Sequence, residues 1–139
     1  MIMADTGFWL ALANKKDIHH VRAKKCLSLF NEPLITTWPV MTETCHLLLN
    51  RIGQHAQQSF IENYVASAFE IFQITNEHAP RIAVLMKKYA DLPMDLADAS
   101  LVILAEHLGH GRIFSNDRRD FKTYRWKQIK PFQNLLLDD

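Results

Sequence analysis

Several acidic residues sit where the chain changes character. Asp5 ends the apolar run Ile2-Met3-Ala4, and Glu43 lies shortly after the branched stretch Leu34–Thr37. Asp95 and Asp98 open a long apolar segment, and Asp117 follows the stretch Arg112–Ser115. Grouped carboxylates can move protons or hold a hard cation, so the question is whether the fold groups them. Asp5-Thr6-Gly7 raises a second question, because Asp-Thr-Gly is also the tripeptide that carries the catalytic carboxylate of aspartic proteases. The elements around these residues decide between the two.

Ile2–Ala4 reads as a short buried strand and Thr6–Asn14 as a helix. Asp17 is placed to N-cap a further helix through Phe30. Leu34–Thr37 is strand-like, and Pro39 suits the first turn of a helix that runs to about Arg51 and stops at Gly53. His55–Ala68 is expected to be helical, with Phe60, Ile61, Tyr64 and Val65 on one stripe. Ile71–Ile74 reads as a strand, and Glu77–Tyr89 as a helix with Ile82, Leu85 and Met86 on its apolar side. Leu96–Leu108 is a helix apolar almost all round, ended by Gly109. Arg112–Ser115 is a strand, Asn116–Asp120 a turn, and one last short strand is expected near Ile129. Strands separated by helical stretches predict one α/β domain over residues 1–139, with a central, mainly parallel sheet of four to five strands flanked by helices. Aspartic proteases are built almost wholly from strands, so this helix-rich pattern argues against that reading.

In a parallel sheet the carboxyl ends of the strands and the amino ends of the following helices share one edge, where ligands usually bind. Element order therefore brings Asp5, Glu43, Asp95, Asp98 and Asp117 to the same edge. Each has an ordinary alternative. Asp95 and Asp98 form a capping-box pattern, and for Asp95 capping is the favoured role. Asp117 suits a turn, and Glu43 suits a solvated helix face. Together, however, they would repel one another at that edge unless a cation intervened. Mg²⁺ or Mn²⁺ fits an all-oxygen set and keeps several waters, so two or three direct carboxylates suffice. The seven histidines show no competing spacing, which makes zinc an unattractive alternative.

The formal charge is only +1, but its distribution is uneven. Residues 112–130 hold seven Lys/Arg against Asp117 and Asp120, a net of +5, so the remainder carries −4. Lys15, Lys16, Arg22, Lys24 and Lys25 form a second basic cluster. Most such residues are simply solvated. An acidic cation site beside a basic strip nevertheless matches the needs of phosphodiester cleavage, with Arg118 and Arg119 as candidate phosphate contacts.

A chain of 139 residues with 48% hydrophobic content can bury a real core. Its longest apolar run, Phe8–Ala13, is far too short to cross a membrane. No basic segment precedes Asp5, so a secretory leader is not expected. Cys26 and Cys45 lack metal-ligand spacing and read as reduced core thiols of a cytoplasmic protein.

Four segments together resemble a PIN domain. They are Met3-Ala4-Asp5-Thr6, Thr42-Glu43 in its helix, Leu92-Pro93-Met94-Asp95-Leu96-Ala97-Asp98-Ala99-Ser100, and Ile113-Phe114-Ser115-Asn116-Asp117-Arg118-Arg119-Asp120-Phe121. More narrowly, the chain is similar over essentially its full length to the VapC-like ribonuclease toxins of prokaryotic type II toxin–antitoxin pairs. The resemblance implies a Mg²⁺-dependent endoribonuclease in which Asp5, Glu43, Asp98 and Asp117 form an acidic quartet. Asp5 and Asp98 would be direct metal ligands, Glu43 would act through water, and Asp117 or Asp120 would be the fourth acid, the family pattern favouring Asp117. Asp95 is a further candidate ligand. Thr6, Ser115 and Asn116 match polar positions that steady metal-bound waters. Arg118, Arg119, Lys122 and Arg125 are the candidate RNA contacts. The resemblance also implies a homodimer and a cognate antitoxin protein that blocks the acidic site. Two other classes use the same acids differently: a non-catalytic nucleic-acid or protein-binding module, and a metal-dependent DNA nuclease or phosphatase.

Overall fold

The computed structural model describes residues 1–137 and begins with β1 (Ile2–Ala4), every residue of which is fully buried. Next come α1 (Thr6–Ala13), α2 (His20–Phe30), β2 (Leu34–Thr37) and α3 (Trp38–Arg51). These are followed by α4 (Gln54–Val65), β3 (Glu70–Phe72), a 3-10 turn at Asn76–His78, α5 (Ala79–Lys88) and α6 (Leu96–Leu108). The chain closes with β4 (Arg112–Phe114), α7 (Arg118–Thr123), β5 (Arg125–Trp126), β6 (Lys130–Pro131) and β7 (Gln133–Asn134).

The central sheet has strand order β3-β2-β1-β4-β7, and every pairing in it is parallel. Hydrophobic burial explains why β1 lies in the middle. Ile2, Met3 and Ala4 carry no polar side chain, so both faces of the strand must be covered. Phe8 on α1 stacks on Phe114 of β4 at 4.8 Å between centroids. Trp9 meets Phe69 at 4.5 Å and Phe60 at 5.4 Å. α6 is buried along nearly its whole length and packs against α3, α5 and β2, as an all-round apolar helix requires. Thr36 Oγ1 donates to the Ala4 carbonyl at 2.8 Å, tying β2 to β1. Thr37 and Ser100 hydroxyls meet at 2.6 Å, fixing the end of β2 against the first turns of α6.

Several expectations change in detail. Asp17 does not cap α2. Its Oδ1 accepts from His19 N in the turn ahead of that helix, whose N-cap is His19. The α4 helix stops at Val65, and Val65 is 76% exposed rather than part of the buried stripe. The expected strand Ile71–Ile74 is shifted to Glu70–Phe72. The segment expected as a turn at 116–120 instead starts α7, because Asp117 caps it. Near Ile129 the strand signal resolves into a small antiparallel hairpin, β5–β6, with Ile129 exposed in its turn.

The fifth parallel strand, β7, carried no legible sequence signal. It is only two residues long, and a buried polar side chain secures it. Asn134 Nδ2 donates to the Ser115 carbonyl at 2.9 Å, while its Oδ1 accepts from Ser115 N and Leu136 N. Two of these bonds hold the backbone just beyond β4, and the third closes the turn after β7. Replacing Asn134 by Ala leaves buried backbone groups unpaired and should cost roughly 1–3 kcal/mol in urea unfolding. An unchanged unfolding midpoint would show that β7 does not hold this edge.

Candidate functional site

Because the sheet is parallel throughout, β1, β2 and β4 release their chains at one edge, and α1, α3 and α7 begin there. Their N-caps are Asp5, Thr37 and Asp117. The start of α6 joins them, with Asp95 as its cap. A pocket of about 330 Å³ opens at this edge, lined by Asp5, Glu43, Asp95, Asp98, Asp117 and Asp120. All five acids expected at this edge are present, and Asp120 makes a sixth.

Asp5 and Asp120 are the two buried acids of the set, each 7% exposed. Asp5 Oδ1 accepts from Thr6 N at 2.7 Å, and its Oδ2 accepts from the Ser115 hydroxyl at 2.9 Å. Burial pushes its pKa up to about 7 against the pull of those two hydrogen bonds, and the charges on Glu43 and Asp117 add to the rise. Asp98 is raised to about 8, first by burial and then by Asp5 and Asp95. The Tyr124 hydroxyl donates to Asp98 Oδ2 at 3.0 Å and restrains that rise. Burial also raises Tyr124 itself, as does its acidic neighbour Asp98. Glu43 is raised by burial and by Asp95, and Asp117 by burial and by Asp120.

Capping turns out not to compete with a role in the site. Asp95 Oδ1 accepts from Asp98 N at 2.8 Å, and Asp98 Oδ2 lies 3.4 Å from Asp95 N, so the two form a capping box. Asp117 Oδ1 likewise accepts from Asp120 N at 2.9 Å. In both cases the cap orients a carboxylate while that carboxylate lines the pocket. Asp120 is buried, and its Oδ1 accepts from Arg119 Nε at 3.0 Å. The Arg119 charge also opposes the rise of Asp117, whose own charge acts directly on Asp5.

The polar candidates fall in different places. Thr6 lines the pocket, and its buried Oγ1 makes no hydrogen bond of ordinary geometry, although the hydroxyl lies near enough to Glu43 to oppose its rise. The Ser115 hydroxyl gives its proton to Asp5 and accepts from Asp117 N at 2.9 Å, so it braces two of the acids. Asn116 lines the pocket and lies directly over Gly7, where any Cβ would collide with its side chain. A side chain at position 7 would therefore displace the Asn116 amide from its place over α1.

The basic residues are less free than their clustering implied. Arg112 is engaged with Glu32 through two hydrogen bonds of 2.7 and 2.8 Å. Arg118 donates to the Leu137 carbonyl, and Arg125 donates to the carbonyls of Lys122, Thr123 and Tyr124. Arg119 is largely exposed while contacting Asp120 and the Leu92 carbonyl, and Lys122 is exposed. Arg51 was missed by sequence reasoning. It lines the acidic pocket and has no hydrogen-bond or ion-pair partner among the described residues. The missing signal was helical spacing, since Glu43, Leu47 and Arg51 recur every four residues on one face of α3 and all reach the pocket. Tyr124 was missed as well; nothing in its local sequence announces a partner 26 residues away.

The donor set suits a hard divalent cation. It is all oxygen, its carboxylates are costly as free anions, and the Thr6 hydroxyl beside Glu43 lines the same pocket. Among the described residues no three His, Cys, Asp or Glu side chains are drawn together closely enough to hold a metal unaided. Such spacing accords with an ion that retains water ligands.

An α/β domain with a five-stranded parallel sheet and an acidic pocket at its carboxyl edge defines the class. The PIN domain family model matches residues 2–127, and the chain belongs to that family. Ribonuclease VapC26 of Mycobacterium tuberculosis (strain ATCC 25618 / H37Rv) is 25% identical over 124 residues, covering 89% of this chain and 92% of that protein. The 23S rRNA-specific endonuclease VapC20 of the same species (strain CDC 1551 / Oshkosh) is 23% identical over 131 residues, covering 94% and 99%. The crystal structure of M. tuberculosis VapC20, described as a Sarcin-Ricin loop cleaving toxin, superposes with a TM-score of 0.81 at 23% identity, covering 94% of this chain and all of that one. At that identity the superposition establishes the shared fold.

The raised carboxylates fix the sign of a pH dependence. Asp5 and Asp98 hold protons in the native state up to about 7 and 8, whereas the unfolded chain releases them near 3.8. Native protein thus binds more protons across that window, and stability must fall as pH rises through it. Metal-free protein in EDTA should melt at a lower temperature at about pH 8.5 than at about pH 5.5. Asp98→Asn should flatten the difference, which separates the carboxylate share from that of the histidines. A melting temperature that climbs over this interval, equally in both proteins, would contradict the assignment.

Proposed function

We propose that this chain, as one PIN domain over residues 1–139, is a divalent-metal-dependent endoribonuclease and the toxin of a toxin–antitoxin pair. The observation that carries this reading is the convergence of six carboxylates on one pocket, two of them raised to about 7 and 8. The names of its relatives, a ribonuclease and a 23S rRNA-specific endonuclease, support RNA as the substrate class and make ribosomal RNA the first to test.

Asp5 and Asp98 would hold Mg²⁺ or Mn²⁺ directly, Glu43 would reach it through water, and Asp117 would complete the set, with Asp120 as the alternative fourth acid. Asp95 serves chiefly to cap α6 and adds to the local negative charge. The ion, when bound, supplies a water of lowered pKa and neutralises charge gathering on the phosphate. Thr6 and Asn116 offer hydrogen bonds to water in the pocket, and Ser115 keeps Asp5 fixed. Tyr124 holds Asp98 in register from the far side. Arg51 is placed to meet a phosphate at the pocket, with Arg118, Arg119 and Lys122 outside it, whereas Arg125 braces the end of α7. No helix of the described residues is long and apolar enough to cross a membrane. A cytoplasmic homodimer, silenced by an antitoxin that supplies positive charge to the acids, completes the reading.

Asp5→Asn and Asp98→Asn should each lower magnesium-dependent RNA cleavage by at least ~100-fold, and relieve toxicity on expression, without loss of fold. Undiminished cleavage by both purified variants would remove the mechanism. RNA, DNA and phosphomonoester substrates run side by side should show turnover of RNA alone. Arg51→Ala should slow cleavage roughly 10- to 100-fold, the loss of one charge-assisted hydrogen bond. Unaltered rates in that variant would remove Arg51 from the phosphate site.

A further inference from the structure

The α3 helix presents a second ladder next to the one that reaches the acids. Trp38, Thr42 and His46 also recur every four residues, and they line a hollow of about 650 Å³ with Ile74 and Leu96. Glu43 and Asp95 belong to both cavities, so the hollow continues directly from the acidic pocket. Trp38 is 42% exposed and Leu96 49%, so apolar surface borders the charged pocket directly. The tryptophan is nevertheless held in place. Its Nε1 donates to Gln73 Oε1 at 3.1 Å, and its ring meets Tyr64 edge-on at 5.8 Å.

We propose that this hollow binds an unpaired nucleobase of the RNA substrate, stacked on Trp38, so that the adjoining phosphate lies over the acids. The assignment rests on the RNA-cleaving reading above and extends it to a base-binding subsite. A fixed aromatic face contiguous with a phosphate-handling site is what single-stranded RNA requires, because every base has a π-face while its phosphate needs charge compensation. His46 and the carboxylate of Glu43 supply hydrogen-bonding groups at the margin where a base edge would fall. A second copy of this chain fits less well. A two-fold contact centred on the hollow would set Glu43 and Asp95 against the same acids of its mate, a repulsion that a neutral base avoids.

The test uses the full-length Asp98→Asn protein, which retains the hollow, with an unstructured oligoribonucleotide and magnesium. Trp9 and Trp126 are buried, so RNA-dependent quenching of emission reports on Trp38. Quenching is expected and should vanish in Trp38→Phe, whose affinity should stay within about threefold because a stacking face remains. Trp38→Ala and Trp38→Leu should each weaken binding roughly 5- to 150-fold, the range of one lost base stack. The leucine variant keeps apolar volume, so it separates stacking from folding should the alanine variant prove unstable. In an otherwise native background the same changes should raise KM more than they lower kcat. Native affinity in both the Ala and Leu variants, with wild-type cleavage intact, overturns the subsite and leaves the ribonuclease standing. Absence of any RNA binding or cleavage by wild-type protein overturns both. Trp38 emission that responds to protein concentration and not to RNA, with sedimentation showing a dimer dispersed by Trp38→Ala, assigns the hollow to a second copy and overturns the proposal.

Discussion

The buried carboxylate of Asp5 is the constraint around which the rest of the site is arranged. It ends the most deeply buried strand of the sheet, where burial strips most of the solvation from its charge, and two hydrogen bonds partly offset that cost. One of these comes from the first backbone amide of α1 and the other from Ser115 at the end of the adjacent strand. The carboxylate is thus held rigidly between two strands by the same elements that desolvate it. Asp98, Glu43 and Asp117 then add like charge around it, and the cost of ionising the group grows with each. A hard cation is the simplest species that reverses this cost.

The residues that cap α1, α6 and α7 also line the pocket. Asp95 with Asp98 and Asp117 with Asp120 satisfy the amides that open α6 and α7, and in doing so aim carboxylates inward. Ser115 braces Asp5 and receives the Asp117 amide, while its own backbone is held by Asn134 on β7. A two-residue strand at the edge of the sheet thereby positions Asp5 near its centre. Tyr124, fully buried beyond α7, reaches Asp98 by the same logic. The pocket is a property of the whole carboxyl edge rather than of any one loop.

Much of this was legible in the sequence. Strand and helix order was enough to gather Asp5, Glu43, Asp95, Asp98 and Asp117, because parallel topology converts sequence order into a shared edge. The long apolar helix Leu96–Leu108 and its Gly109 stop were also readable, since burial on all sides and a left-handed C-cap leave strong marks. The short segments after Phe114 were harder. A two-residue strand such as β7 has no periodicity, and its fixing interaction is a buried asparagine whose chief partner, Ser115, is 19 residues away. Basic clustering also overstated the free charge, because Arg112, Arg118 and Arg125 are occupied by Glu32 and by backbone carbonyls. Arg51 stood outside those clusters, and helical spacing from Glu43 was its only signal.

A divalent cation bound as proposed must displace protons that the acidic pocket keeps near neutral pH. Calorimetric titration of magnesium near pH 7.5, in two buffers of different ionisation enthalpy, measures this directly. Binding should release roughly one proton per ion, and affinity should rise with pH because the ligands must be deprotonated. Asp98→Asn should reduce both the affinity and the proton release. Magnesium binding without proton release, or no binding at all, would contradict it.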